Sequence, residues 1–310
     1  MQPAFKVAHL AAGGIFWATL TIEGMLFNPS LIQKGDLMRM QWLSALGLIV
    51  RRLVFPPRCR VCGELLPWTR AGGMIADEAE DLVSQFHGEL APVMCAFCRT
   101  GVEEPSGQRC TACGVPLLGD ISESCLCGHC MDPARPLARV TALFLHDEGP
   151  AMAVRALKYK NKRALAPPMG RLLFARALRA HMDGEGKRWD IDLVVPVPLH
   201  GKRLRRRGFN QASLLLCAFE EEAGLNVCHR LLRRRRETTP QAGLTRKARL
   251  KNVKGAFELT PGRDVKGKRV LLVDDVFTTG STLAACATIL KKHGASEVSA
   301  LVFARRDMTK

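Results

Sequence analysis

The run from Val270 to Thr282, VLLVDDVFTTGST, narrows the possible folds of this chain more than any other stretch. Its four leading apolar residues, Val270 to Val273, predict a strand buried on both faces, as in a parallel sheet. Two carboxylates, Asp274 and Asp275, follow at the C-terminal end of that strand, where open α/β sheets place their ligands. A loop of hydroxyls then surrounds one glycine, Thr278-Thr279-Gly280-Ser281-Thr282. Beyond it Leu283, Cys286, Ala287, Leu290 and His293 recur at helical spacing.

Each part of this order suits a ribose 5-phosphate. Amides of Thr279 to Thr282 at a helix N-terminus favour a phosphate. Gly280 lets the backbone approach closely and take a positive φ. The hydroxyls of Thr278, Thr279, Ser281 and Thr282 can donate to phosphate oxygens, and Asp274 and Asp275 can accept from two sugar hydroxyls. An Asp pair by itself would be read more simply as an Asx turn with an ordinary N-cap. Four parts in a single run argue against that reading. The run resembles the phosphoribosyl diphosphate (PRPP) motif of type I phosphoribosyltransferases.

The charge distribution points the same way. The chain has 310 residues, room for one good domain plus a smaller one, and a formal charge of +17. Residues 1–138 hold 11 Lys/Arg against 13 Asp/Glu, whereas residues 139–310 hold 35 against 16. The basic excess belongs wholly to the part with the phosphate loop, which implies a polyanionic ligand or nucleic acid there. The longest uncharged apolar stretch, Leu10 to Ile22, is 13 residues and too short to cross a bilayer. No clear small-residue cleavage site follows it, which argues against a signal peptide.

Four CxxC pairs lie ahead of that part: Cys59 and Cys62, Cys95 and Cys98, Cys110 and Cys113, Cys127 and Cys130. Eight thiols make two tetrahedral four-cysteine zinc sites. Gly63 and Gly114 directly follow their pairs, as a tight knuckle turn favours. A disulfide framework competes poorly, because CxxC neighbours make strained bridges and nothing marks secretion. Sequential pairing of the motifs spans 32 and 13 residues, the longer spacer holding an acidic stretch, Asp77 to Leu90, that reads as an inserted helix. Joining the two middle pairs, 11 residues apart, is the rival arrangement. Cys125 and His129 are spare potential ligands, and Cys217, Cys228 and Cys286 read as small core residues.

From Arg139 onward strands alternate with helices, which predicts an α/β domain with a mainly parallel sheet. Strands are expected at Val140–Leu145, Ile191–Val195, Gly255–Leu259, Val270–Val273 and Glu297–Phe303. Helices are expected at Pro150–Lys160, Pro168–His181 and Gln211–Glu222, the last with Asn210 as N-cap. Residues 1–38 show no strong periodicity, and Met38 and Met40 precede an amphipathic run, Trp42 to Val54. The true start is expected to lie near them, with the first segment an over-called extension. The alternative is a disordered or family-specific N-terminal segment.

Along this domain Leu157-Lys158-Tyr159, Val195-Pro196-Val197-Pro198, Arg207-Gly208-Phe209-Asn210-Gln211, Gln241, Arg249, Asn252 and Ala256-Phe257 occur in order before the PRPP-like motif. With the CxxC module in front, the chain resembles the ComF family (competence protein F) over about residues 42–306. The long spacer after Cys62, residues 1–38 and Ala248, where relatives often carry an acid, depart from that pattern.

The resemblance implies a type I phosphoribosyltransferase fold preceded by a double zinc ribbon. The expected domains are an N-terminal extension, 1–41, a double zinc ribbon with its leading helix, 42–136, and a phosphoribosyltransferase domain, 137–310. The implied cofactors are two structural zinc ions and Mg²⁺ bound with PRPP. Asp274, Asp275 and Arg207 are the expected catalytic residues. Val197 to His200, with Val197, Pro198 and Leu199 as the binding residues, would form a pyrophosphate loop, and Arg203 to Phe209 part of a mobile cover. The implied activity is phosphoribosyl transfer to an unknown acceptor, cytoplasmic and linked to DNA uptake. Competing readings are a non-catalytic sensor of PRPP or a nucleotide, and a nucleic-acid-binding accessory of DNA uptake. The basic stretch Arg230 to Arg236 would bind nucleic acid weakly and without sequence preference. With aromatics at only 6%, no base-stacking platform is evident.

Overall fold

The computed structural model describes residues 54–67, 81–117, 125–128, 130–182, 189–222, 224–237 and 252–307. The expected extension 1–41, nearly all of the run 42–54, His129, Gln241 and Arg249 lie outside these residues. Pro56–Lys310 forms one compact unit.

Helix α1 spans Leu82–Leu90. Strand β1 (Val140–Leu145) leads into α2 (Glu148–Tyr159) and α3 (Ala166–His181). Strand β2 (Leu193–Pro196) is followed by three short helices, α4 (Gly201–Arg207), α5 (Gln211–Leu214) and α6 (Cys217–Glu220). Then come β3 (Leu232–Arg234), β4 (Phe257–Leu259), β5 (Arg269–Phe277), α7 (Ser281–Lys292) and β6 (Glu297–Arg305). The four long-range strands make an all-parallel sheet in the order β1-β6-β5-β2, and β3 pairs antiparallel with β4.

The sheet is buried on both faces because β5 alternates apolar residues of both parities. Leu271 and Val273 join one core, Val270 and Leu272 the other. The first core is covered by α1, α2 and α3. Phe86 of α1 meets Phe144 of β1 edge-on at 5.1 Å, and Phe144 meets Phe303 of β6 at 5.4 Å. Cys59, Leu66, Cys95 and Cys98 belong to this same core, so the cysteine-bearing stretch and the sheet share one apolar interior. The second core is covered by Leu283, Cys286, Ala287 and Leu290 of α7, with Leu232 and Phe257 from the β3–β4 ribbon.

The acidic insertion read as a helix is one, α1, with Asp81 as N-cap, accepting from the Ser84 amide at 2.8 Å, and its Leu82, Phe86 and Leu90 are core residues. Three elements differ from the sequence reading. The helix expected over 211–222 breaks into α5 and α6 at Leu215–Leu216, both fully buried. There α3 approaches so closely that a Cβ on Gly170 would stand 2.6 Å from the Leu215 carbonyl. Strand β5 does not end at the acidic pair but runs through it to Phe277, paired in register with Arg305. The stretch expected as part of a cover is helix α4, started by His200, whose ring accepts from the Lys202 amide at 3.4 Å, and closed by Gly208 at φ +80°.

Candidate functional site

The C-terminal ends of β5 and β2 open into a cavity of about 470 Å³. Asp274, Asp275, Thr278, Gly280, Ser281 and Thr282 line one side, and Val197, Leu199 and Arg207 another. Of the sequence-predicted residues, Thr279 and Pro198 do not line it. Thr279 instead shares a hydrogen bond with Ser281, Oγ to Oγ at 2.7 Å, which braces the loop from behind.

Because strand side chains alternate, the two carboxylates point to opposite faces of β5. Asp275 is 2% exposed, and its Oδ1 receives the Lys158 ammonium of α2 at 2.7 Å. Its Oδ2 is buried with no hydrogen-bond donor. Asp274 is half-buried and accepts from the Asp275 amide at 2.9 Å. Burial and then the neighbouring Asp275 charge push its carboxyl up to about 7, against the pull of Lys158.

Gly280 is the N-cap of α7 at φ +73°. A Cβ there would stand 2.7 and 2.8 Å from two carbons of the Phe277 ring, so the turn strongly favours glycine. The first intrahelical bond runs from the Ala284 amide to the Gly280 carbonyl at 2.8 Å, so the helix starts directly out of the loop. Across the cavity the Val197 amide donates to the Val273 carbonyl at 2.9 Å, and Asn210 Nδ2 donates to the Val197 carbonyl at 3.0 Å. These bonds hold the β2–α4 turn against β5.

Helix α4 carries Arg203, Arg206 and Arg207 to this wall. The Arg207 guanidinium donates to Gln211 Oε1 and lies over the Tyr159 ring, 5.7 Å from its centroid. Burial holds its pKa below the ordinary value, opposed by the Asp275 charge. With Arg155, Lys158 and Arg306, six cationic side chains face two carboxylates, so the cavity carries a strong excess of positive charge. Sequence reasoning missed Arg155, Lys158, His146 and Arg306 as site residues. Only Lys158 carried a signal, inside Leu157-Lys158-Tyr159. Burial, then Lys158 and Arg155, lower the His146 pKa, so its ring is neutral at pH 7.

The cysteines assemble sequentially, Cys59, Cys62, Cys95 and Cys98 in one set and Cys110, Cys113, Cys127 and Cys130 in the other. Within each set all four sulfurs lie within 4.8 Å of one another. Cys62 and Cys95 Sγ are 3.7 Å apart, as are Cys113 and Cys127. A tetrahedron of thiolates bound at about 2.3 Å has edges of about 3.8 Å, so both sets have the size of a zinc site. The two knuckles repeat one local pattern. Gly63 (φ +88°) donates to the Cys59 carbonyl at 2.9 Å, and Gly114 (φ +67°) to Cys110 at 2.7 Å. Burial raises the Cys59 and Cys110 thiols, but surrounding backbone amides outweigh it and draw each to about 6. Cys125 belongs to neither set. Among the described residues no helix is long and apolar enough to cross a membrane.

Comparison with known proteins agrees with this geometry. The phosphoribosyl transferase domain model matches residues 225–310, the stretch holding the acidic pair and the loop. DNA utilization protein YhgH of Salmonella typhimurium is 32% identical over 205 residues, covering 66% of this chain and 87% of that protein. Competence protein F of Haemophilus influenzae is 29% identical over 213 residues, covering 68% and 90%. Competence protein ComFC of Bacillus subtilis is 32% identical over 114 residues, covering 36% and 44%. Parallel sheet, paired four-cysteine knuckles, phosphoribosyl transferase domain and these relatives together place the chain in the ComF family.

Proposed function

We propose that this protein binds PRPP with Mg²⁺ at the end of β5 and transfers the phosphoribosyl group to an acceptor, releasing pyrophosphate. The observation that carries the reading is one cavity holding a glycine loop at a helix N-terminus, an acidic pair and six cations. The loop Thr278–Thr282 receives the 5-phosphate at the N-terminus of α7, on backbone amides and hydroxyls that turn to it when it binds. Asp274 and Asp275 accept from the ribose hydroxyls. The donor-less Asp275 Oδ2 supports that role, since a sugar hydroxyl supplies the missing bond.

Arg203, Arg206 and Arg207, with the Val197–Leu199 turn at their base, receive the pyrophosphate. They stabilise its charge as the bond to the anomeric carbon breaks and an acceptor electron pair takes its place. Mg²⁺ prefers oxygen ligands, which the acidic pair and the phosphates of PRPP supply; when bound it shields the diphosphate charge. Lys158 keeps the Asp275 carboxylate in place between α2 and β5.

The two cysteine sets hold zinc as structural ions, and reduced thiolates together with PRPP suit a cytoplasmic setting. The names of the relatives, DNA utilization protein and competence protein, support a role in handling DNA that has been taken up. Direct nucleic-acid contact by the basic ribbon is weak on this reading. Arg233 and Arg235 pair with Glu258, and Arg236 donates to the Asn252 and Lys254 carbonyls at 2.9 Å. Pyrophosphate release from PRPP across a panel of bases and amines tests the activity. Release with one acceptor class supports transfer; PRPP binding without release on any acceptor supports the sensor reading instead.

A further inference from the structure

The second cysteine set is wired to the phosphate loop through one buried arginine. Arg305, at the end of β6, is 3% exposed. Its Nη1 donates to the carbonyl of Cys113, a member of that set, at 2.7 Å, and its Nε to Asp307 Oδ1 at 2.9 Å. Arg109, just before the same knuckle, grips the other side of that carboxylate, Nη2 to Oδ2 at 2.9 Å, and the Gly114 carbonyl at 3.1 Å. The fit is tight: a Cβ on Gly114 would stand 2.6 Å from Arg305 Nη1.

The other face of the Arg305 guanidinium lies over the Phe277 ring, 5.4 Å from its centroid. That ring fills the place where a Cβ on Gly280 would sit. The Phe277 carbonyl accepts from the Arg306 amide at 2.8 Å, which fixes its backbone as well. Cys113, Arg305, Phe277 and Gly280 are thus in continuous contact, from the metal-binding turn to the loop that caps α7.

We infer that Arg305 is a positioning residue coupling the second four-cysteine site to the phosphate loop, so that zinc at one and a phosphate at the other strengthen each other. The inference rests on the reading of the loop as a phosphate site and the cysteines as a zinc site. The physical reason is that a metal-bound knuckle holds the Cys113 carbonyl still. That carbonyl sets the tilt of Arg305, Arg305 sets the Phe277 ring, and the ring is the floor on which the Gly280 turn rests. When the knuckle loosens, the guanidinium keeps Asp307 but loses the Cys113 carbonyl that sets its tilt, and the loop amides diverge from their shared focus. Coupling of two binding equilibria is reciprocal, so the same factor acts in both directions.

The test uses the full-length, zinc-loaded protein and ribose 5-phosphate as probe. Calorimetry gives its affinity for wild type, Arg305→Lys and Gly114→Ala. Competition with a chromogenic chelator, brought to equilibrium, gives zinc affinity with and without saturating probe. The expectation is that ribose 5-phosphate protects one of two zinc equivalents in wild type, raising its affinity roughly tenfold. Both variants should bind the probe about tenfold more weakly while keeping two zinc ions, and the protection should vanish in Arg305→Lys. Wild type that binds the probe without protecting zinc, or variants that bind it as wild type does, would overturn the coupling alone. Wild type that does not bind ribose 5-phosphate at all would overturn the functional reading and the coupling with it. The wild-type arm needs no substitution, so a variant that misfolds leaves the test standing.

Discussion

Replacing Lys158 by methionine keeps most of its packing and removes one charge from a buried pair. The ammonium stands 2.7 Å from Asp275 Oδ1, with side chains 19% and 3% exposed. At an effective dielectric of 20 that pair carries about 6 kcal/mol of gross attraction, much of it offset by desolvation. What the substitution exposes is a buried carboxylate with neither oxygen partnered, a situation that costs about 3–5 kcal/mol in other buried pairs. Because Lys158 reaches water through the cavity, the lower end applies, about 3 kcal/mol. For a chain of this size that lowers Tm by about 5 °C. Thermal unfolding followed by tryptophan fluorescence, in zinc-containing buffer without PRPP, measures it. The double variant with Asp275→Asn removes both charges and should cost about 2 kcal/mol less than the sum of the singles. Additive singles, or a Tm loss below about 2 °C for Lys158→Met, would refute the buried pair as an organising contact of the site.

Purified protein should contain two equivalents of zinc by elemental analysis, and Cys113→Ser should retain one. Gly280→Ala should lose at least about 1 kcal/mol by chemical denaturation, because the residue sits at φ +73° with the Phe277 ring in the way. Asp274, with its carboxyl raised to about 7, favours the protonated form in the folded state. Its stabilising contribution is complete below the ordinary carboxylate range and is lost as pH rises through about 7. Thermal melts of ligand-free protein between pH 5 and 8 should therefore fall more steeply for wild type than for Asp274→Asn.

The strand, the acidic pair and the glycine loop could be read from sequence because each follows local rules: apolar runs, turn residues and helix periodicity lie within thirteen consecutive residues. The knuckles were legible for the same reason, although which pairs join depends on chain path and not on spacing. What escaped is long-range. Lys158 meets Asp275 only because α2 crosses the sheet face, and Arg305 meets Cys113 across 192 positions. The break between α5 and α6 was invisible because it answers to Gly170 on α3, not to a proline or glycine in its own segment. The basic run Lys202–Arg207 has no apolar stripe, so periodicity offered no helix; the His200 cap and the Gly208 turn supply its ends. Likewise the acidic insertion hides three core residues on one face of a polar stretch.

The most direct test is calorimetric titration of PRPP with Mg²⁺ into wild type, Arg207→Ala and Gly280→Val, beside ribose 5-phosphate alone. Wild type should bind PRPP, and a hundredfold excess over Kd should stabilise it by about 2.7 kcal/mol in a parallel melt. Arg207→Ala should keep its affinity for ribose 5-phosphate and lose affinity for PRPP, whose pyrophosphate it faces. Gly280→Val should lose both, since the loop cannot form around a β-branched residue. No heat and no stabilisation with PRPP and Mg²⁺, or three proteins that titrate alike, would contradict the assignment of this cavity.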